Sequence, residues 1–375
     1  MKYCSLVFIY FMMKKYLIGL CAALIFISFI QTADAAYHFS DFRARNPIHI
    51  FAKDTAPKGV SPDVIKTVYH LPKRGGHGTI AIIGAYHDAL IEKDLSIFNQ
   101  TFGLPQCTTK NACFEQHPMS KHIKSDSGWN METSLDVEWA HAIAPDAKIL
   151  LVESPTPSGA NLLKAVDYAS SRSDVVAISM SWGGGEFAEE KILDSHFVSK
   201  SGAVFFASSG DNGWGVSWPA SSINVVAVGG TSLSFKSDTS VDRETAWQGS
   251  GGGVSAYEPQ PSYQHSYSIQ KTMGMRAIPD VSYNADPRSG FSVYAQHIWY
   301  VLGGTSAGAP QWAAIQSLGL SATNENLYAD KASDTHATFF HDIVSGSNGD
   351  CRYYCQARKH YDYITGLGTP MTVNF

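Results

Sequence analysis

One serine and three acidic residues in this chain have the types and spacing that a nucleophilic site needs. Ser306 lies among small residues in Gly303-Gly304-Thr305-Ser306-Ala307-Gly308-Ala309-Pro310, directly before the apolar run Gln311 to Leu320. Small neighbours let a substrate backbone reach the hydroxyl. A helix starting there would turn its unpaired N–H groups toward a developing oxyanion. Pro310 suits the first turn of such a helix, where a missing N–H costs little. The hydroxyl is a weak nucleophile until a base takes its proton. Glu132 and Asp136 stand four apart in a segment with helical apolar spacing at Leu135, Trp139 and Ile143, so both carboxylates share one face. Two like charges so close push one toward holding a proton, which suits a base kept in line by a second acid. Glu138 falls on another face and reads as a solvated acid. Asp211 sits in Ser208-Ser209-Gly210-Asp211-Asn212-Gly213, a tight turn after the strand-like run Gly202 to Ala207. Protonated there, it could donate a hydrogen bond to an oxyanion. Taken singly, these features have plainer readings, an acidic helix face and an Asx turn.

The elements that must position these residues alternate. Strands are expected at 78–84, 148–152, 175–181, 203–208 and 224–228, and helices near 88–98, 132–144, 161–170 and 189–200. Such alternation implies an α/β fold, a mostly parallel sheet with helices on both faces, and the sites fall at strand ends and helix starts. His77-Gly78-Thr79 leads into the strand-like Ile80 to Gly84, so His77 reads as a loop residue rather than a base. The stretch from Pro259 to Met275, rich in Gln, Ser, Tyr and Pro, reads as a surface excursion.

Taken together and in order, these motifs resemble the sedolisin (serine-carboxyl peptidase) family, from about Ser61 to Gly368. Further matching segments are Ala177 to Gly183, Trp218 to Ser221, Val228 to Thr231, Gly251 to Ser255, Ile278 to Ser282 and Asn284 to Pro287. The resemblance implies a subtilisin-like three-layer fold. It also implies Ser306 as nucleophile, Glu132 as general base and later acid, Asp136 as its orienting partner and Asp211 as oxyanion donor. Ser179, Ser181, Trp182, Gly183 and Gly184 would bind an extended peptide as an added strand. With carboxyl groups doing this work, activity is expected in acid. Near the C-terminus, the resemblance implies one structural Ca²⁺ held by Asp342, Asp362 and the carbonyls of Ile343, Arg358 and His360. Glycines are usual in the family where Arg358 and His360 stand. Oxygen ligands of this kind suit calcium.

The remaining features concern compartment and partners. Lys14-Lys15, the apolar run Tyr16 to Ile30 and the A-x-A pattern ending at Ala35 read as a secretory signal over 1–35, with Met13 a possible true start. A lead-in over 36–60, with no room for the long prodomain usual in the family, then precedes a catalytic domain over 61–375. A secreted or periplasmic location is expected. It makes disulfides the default for Cys107, Cys113, Cys351 and Cys355. Of the three pairings, the local ones, Cys107–Cys113 and Cys351–Cys355, are favoured. A net charge of −5, with 16% charged residues, offers no basic surface for nucleic acid. A monomer acting on peptides or proteins, without a membrane anchor once the signal is gone, is expected. Two other functions stay open. Gly304 to Gly308 also fits G-x-S-x-G, which with Asp342 and His360 would make an α/β-hydrolase-type esterase. The third is a calcium-stabilised binding protein without catalysis.

Overall fold

Ile80-Ala81-Ile82-Ile83 and Ile149-Leu150-Leu151-Val152 are apolar at every position, a pattern that suits strands covered on both faces. The computed structural model, which describes residues 37–237, 240–329 and 339–371, places them so. Ile80, Ile82, Ile149 and Leu151 join one core, while Ala81, Ile83, Leu150 and Val152 join another across the sheet. The described residues from His38 onward form one compact unit. The leader expected at 1–35 lies outside the described residues.

In chain order the elements used below are β1 (His49–Asp54), α1 (Pro62–Val68), β2 (Thr79–Ala85), α2 (Ile91–Phe102), β3 (Phe114–Pro118), α3 (Ser127–Ile143), β4 (Lys148–Ser154), α4 (Gly159–Ser171), β5 (Val175–Met180), β6 (Val204–Ser208), β7 (Val225–Phe235), β8 (Val241–Ala246), β9 (Val281–Asn284), β10 (Phe291–Ala295), β11 (Ile298–Gly303) and α5 (Gly308–Ser317). The main sheet runs β8-β7-β6-β5-β2-β4-β3, with β9 also paired to β7. Its pairings are parallel except that of β7 with β8. The chain leaves β2 toward β3 on one side and leaves its neighbour β5 toward β6 on the other, so these adjacent carboxyl ends open a crevice, where α/β sheets hold ligands. A separate antiparallel sheet, β1-β11-β10, ends at Gly303, three residues before Ser306. The fold is thus the expected subtilisin-like α/β arrangement.

Details differ from the sequence expectations. Helix α3 starts at Ser127 rather than Glu132, because Asp126 caps it, accepting from Gly128 N at 3.0 Å and Trp129 N at 3.1 Å. The segment near 189–200 is a 3₁₀ turn over Glu190–Phe197, not an α-helix. The stretch 259–275 is more than a surface excursion. It holds the short helix Ser262–Tyr267, where buried Gln264 donates to the Ala277 carbonyl at 2.7 Å. Both local disulfides form, Cys107–Cys113 and Cys351–Cys355. Among the described residues no helix is long and apolar enough to cross a membrane.

Helix α3 decides the electrostatics of the site. It packs against α2, α5, β2 and β10, so every residue from Glu132 to Ile143 is buried. Glu138 is therefore not the solvated acid its helical face suggested. It is fully buried, and its carboxylate accepts from Tyr294 N at 3.1 Å. The amphipathic pattern fails to report this because α3 has no solvent face.

Candidate active site

Ser306 sits where β11 turns into α5. Gly304 takes φ 130°, residues Thr305–Ala307 make a 3₁₀ turn, and α5 follows with Pro310 in its first turn. A side chain at Gly304 is excluded, since a Cβ would lie 2.1 Å from the Pro47 carbonyl oxygen and 2.5 Å from Asp211 Oδ2. This glycine lets a peptide chain and a carboxylate meet over the same backbone. Ser306 itself is fully buried, and its hydroxyl completes no hydrogen bond of ordinary geometry.

The carboxyl group neighbouring that hydroxyl is Glu132. Burial, and then the neighbouring Asp136 carboxyl, hold its pKa well above the ordinary value, and the Ser306 hydroxyl works against that rise. Neither Glu132 oxygen closes a hydrogen bond. Catalytic contacts are commonly loose until substrate arrives. Asp136 is raised by burial too, and the Ser181 hydroxyl, donating to Oδ1 at 2.7 Å, opposes the rise. The same hydroxyl lies 3.2 Å from the Ser306 carbonyl oxygen, so one side chain ties the second acid to the turn that carries Ser306. Ser181 was expected only to line the substrate. Its tie to Asp136 has no signal in the sequence.

Asp211 follows β6, and Thr305 clamps it. Oδ1 accepts from Thr305 N at 2.9 Å and Thr305 Oγ1 at 2.8 Å. Oδ2 has His49 Nε2 at 3.0 Å, a hydrogen-bond distance though not an ideal alignment. Burial raises the Asp211 pKa, while His49 and Thr305 oppose the rise. Both contacts are additions to the sequence reading, in which neither Thr305 nor His49 had a role.

The expected substrate wall divides. Ser179 is buried within β5. Trp182 is fully buried and donates its indole N–H to the Ile83 carbonyl at 3.0 Å, so it is a packed wall rather than a specificity contact. Gly183 offers main-chain N–H and C=O groups at the crevice edge, and Gly184 pairs with Trp218.

The C-terminal loop brings Asp342 and Asp362 to the ends of one short segment. His360 N donates to Asp342 at 2.8 Å and Arg358 N to Asp362 Oδ2 at 3.3 Å. Asp362 Oδ1 also accepts from Ile364 N at 2.8 Å and Thr365 N at 2.9 Å, and Oδ2 from Thr365 Oγ1 at 2.9 Å. Its lone-pair directions are thus taken by N–H and O–H donors, and the neighbouring Ile343 is buried beside this loop. Calcium would need the Asp362 oxygens turned from these donors toward the ion, with the Asp342 carboxylate and the carbonyls of Ile343, Arg358 and His360 completing its shell. Among the described residues, the one clustering of metal-type side chains is Cys107, Cys113 and His141, and both cysteines are in a disulfide. Nor do Asp342 and His360 build the esterase alternative. They meet through a main-chain N–H, with Asp342 half-buried and His360 exposed, whereas Ser306 is buried and faces Glu132.

Residues 127–349 match the subtilase family. Kumamolisin from Bacillus sp. (strain MN-32) is 31% identical over 88% of this chain and 65% of its own length. Sedolisin from Pseudomonas sp. (strain 101) is 27% identical over 91% of this chain and 64% of its own length. The chain therefore spans slightly less than two thirds of these relatives. The solved Pseudomonas sedolisin, a serine-carboxyl proteinase complexed with two molecules of pseudo-iodotyrostatin, superposes with a TM-score of 0.71 at 28% identity, covering 84% of this chain and 96% of that one.

Proposed function

The chain belongs to the subtilase family and, within it, to the sedolisin or serine-carboxyl peptidases; on that footing we propose that it hydrolyses peptide bonds through an acyl-enzyme on Ser306. The observation that carries this reading is the buried Glu132 carboxyl facing the Ser306 hydroxyl. Glu132, ionised while Asp136 keeps the proton the pair shares, takes the hydroxyl proton as Oγ attacks the scissile carbonyl carbon. The tetrahedral oxyanion accepts a hydrogen bond from protonated Asp211 and one from Ser306 N. Glu132 then gives its proton to the leaving amine as the C–N bond breaks. Water, activated by the same carboxylate, releases the acid product and restores the serine. Asp136, fixed by Ser181, holds Glu132 in line. No step uses a metal.

Asp211 must be neutral to donate, so activity should be highest in acid and fall as that proton is lost. The substrate is an extended peptide or protein, and the two disulfides fit secretion to an oxidising compartment, outside the cell or in the periplasm. The test is hydrolysis of a denatured protein at about pH 4. Turnover abolished by Ser306→Ala and by Glu132→Ala is expected. An active Glu132→Ala enzyme that is silenced by His360→Ala would overturn the reading.

A further inference from the structure

A hollow of about 520 Å³ opens beside Asp211, on the side away from Gly183. The order of the main sheet places it there. Gly183 follows β5 and Asp211 follows β6, while the hollow lies where β9 ends beside β7, the next strand along the same edge. An extended peptide that pairs at Gly183 and offers its scissile carbonyl to Asp211 therefore carries its next residues across the hollow. One wall is buried Trp247, packed so tightly that a Cβ on Gly230 would stand 2.9 Å from its ring and one on Gly249 2.4 Å.

The charged group at the mouth is Arg288. It lies in the short turn Pro287–Ser289 and doubles back on Asp286, which caps that turn. Its Nε is 3.1 Å from each Asp286 oxygen, its Nη2 2.7 Å from Oδ2, and its main-chain N 2.9 Å from Oδ1. The Ser232 hydroxyl also donates to Asp286 Oδ2 at 2.7 Å. The Asp286 side chain is 4% exposed and that of Arg288 74%, so a buried acid braces a guanidinium that faces outward. None of these bonds uses Nη1, whose two N–H groups are left for a ligand. Both Asp286 oxygens are committed, so a cationic side chain would find no acceptor there. His49, its pKa raised by the bond to Asp211, adds positive charge beside the hollow in acid, with its ring 6.0 Å from that of Trp247. Asn212 and Gln248 stand exposed on the rim, each with an amide that can donate. A guanidinium flanked by amide donors suits a planar anion with two oxygens.

We propose that this hollow is a specificity pocket for a carboxylate on the leaving fragment of the substrate, and that Arg288 is the residue that selects it. Two sources offer that chemistry, an Asp or Glu side chain within a longer peptide and the free C-terminus of a short leaving fragment. The inference rests on the peptidase reading for its substrate, but the pocket can be tested without turnover.

Quenched fluorogenic peptides varied only at the first three residues after the scissile bond supply the test, at about pH 5, where peptide carboxylates are mostly ionised. At one of these positions the full chain should cleave the Glu peptide with kcat/KM about 10- to 100-fold above the Gln peptide, the range of a hydrogen bond to a charged group. The Lys peptide should be cleaved most slowly. Arg288→Gln should bring the Glu-to-Gln ratio close to one, and Arg288→Glu should invert it in favour of Lys. Arg288→Lys keeps a cation on Asp286 but loses the planar fork, so it should retain a reduced preference even if the neutral variant folds poorly. Peptides ending at the same position as free acid or as amide separate the two sources. In the inactive Ser306→Ala background, fluorescence anisotropy should show the Glu peptide binding about 10-fold more tightly than the Gln peptide, a difference that Arg288→Gln removes. Equal kcat/KM for Glu, Gln and Lys at all these positions, with free acid and amide alike, overturns the pocket while the peptidase reading survives. A Glu preference that persists in Arg288→Gln overturns it as well. Arg288-dependent binding of the Glu peptide with no cleavage of any peptide by the unsubstituted chain overturns the peptidase reading and leaves the pocket intact.

Discussion

Two groups of carboxyls lie at the same depth in this molecule and are treated in opposite ways. Asp280 is fully buried beneath the sheet, and the equally buried Arg276 grips it with two guanidinium nitrogens at 2.7 and 2.6 Å. Ala227 N at 2.8 Å and the Tyr328 hydroxyl at 2.8 Å complete its shell. Glu132 and Asp136, 2% exposed each, receive no cation, and Glu132 receives no completed hydrogen bond. The fold can satisfy a buried carboxylate and does so at Asp280. Next to Ser306 it withholds the same partners, which keeps the acids' proton affinity high enough to exchange a proton with a hydroxyl and an amine. At Asp280 the acid is part of the frame; at Glu132, in the proposed mechanism, it is a reagent.

The contrast breaks most sharply under neutral replacements. Glu132→Gln should lower kcat on peptide substrates by about 10⁴-fold, the scale seen when one member of a nucleophile–base set is lost. Its thermal unfolding midpoint should stay level or rise near neutral pH, because an unpaired buried carboxyl has been removed. Arg276→Met should do the reverse. Stranding Asp280 costs about 3–5 kcal/mol of stability, visible as a large fall in the denaturation midpoint, with kcat of the folded fraction little changed. A Glu132→Gln enzyme that unfolds as readily as Arg276→Met would place Glu132 in the frame and erase the distinction.

How much of this was legible follows from where each signal originates. Ser306 and the acids proposed to serve it could be read as candidates because chemistry fixes their local spacing: Glu132 and Asp136 one helical turn apart, Ser306 among glycines, Asp211 in a strand-end turn. The central strands were readable from runs such as Ile80 to Ile83. Glu138 was misread because helical periodicity assumes a solvent face, and α3 has none. Ser181 on Asp136, Thr305 on Asp211 and Arg45 on Gly183 join residues 45, 94 and 138 positions apart. Only tertiary folding brings such pairs together, and no local pattern encodes them. The calcium set was implied by the family resemblance, through the order of the motifs around Asp342 and Asp362. Order does not say which way the main-chain N–H groups of Arg358 and His360 turn.

A subtler separation concerns Asp211, which stands between the two kinds of acid: clamped by Thr305 and His49, yet raised by burial. Asp211→Asn keeps a donor in place but can no longer lose it to ionisation. Its rate at the acid optimum should fall by less than about 10-fold, against about 10²–10³-fold for Asp211→Ala, the usual loss when an oxyanion donor is deleted. Its alkaline limb should move upward in a pH–rate profile. An unchanged limb would mean that another group sets the loss of activity.

The smallest effect per group is on stability, and it follows the unpaired acids rather than the paired one. Burial raises Glu132 and Asp136, lifts Asp88 to about 6 and lifts Glu258 to about 8. Unfolded, such carboxyls titrate near 4. Between those limits the folded chain holds more protons than the unfolded one, so each group's stabilisation is full below about pH 4 and is lost as pH climbs through its folded pKa. Buried His141, pushed down to about 4, acts oppositely, adding stability as pH rises toward about 6.5, its unfolded value. Several carboxyls outweigh one histidine, so the unfolding midpoint should be higher at about pH 5 than at about pH 8. Glu132→Gln should flatten that slope, because Gln does not titrate, whereas Arg276→Met, whatever it does to the height of the curve, should leave the Glu132 contribution to its tilt in place. A midpoint that climbs steadily into alkali would mean these acids are ionised and stabilised in the folded state, and the division between frame and reagent would fail.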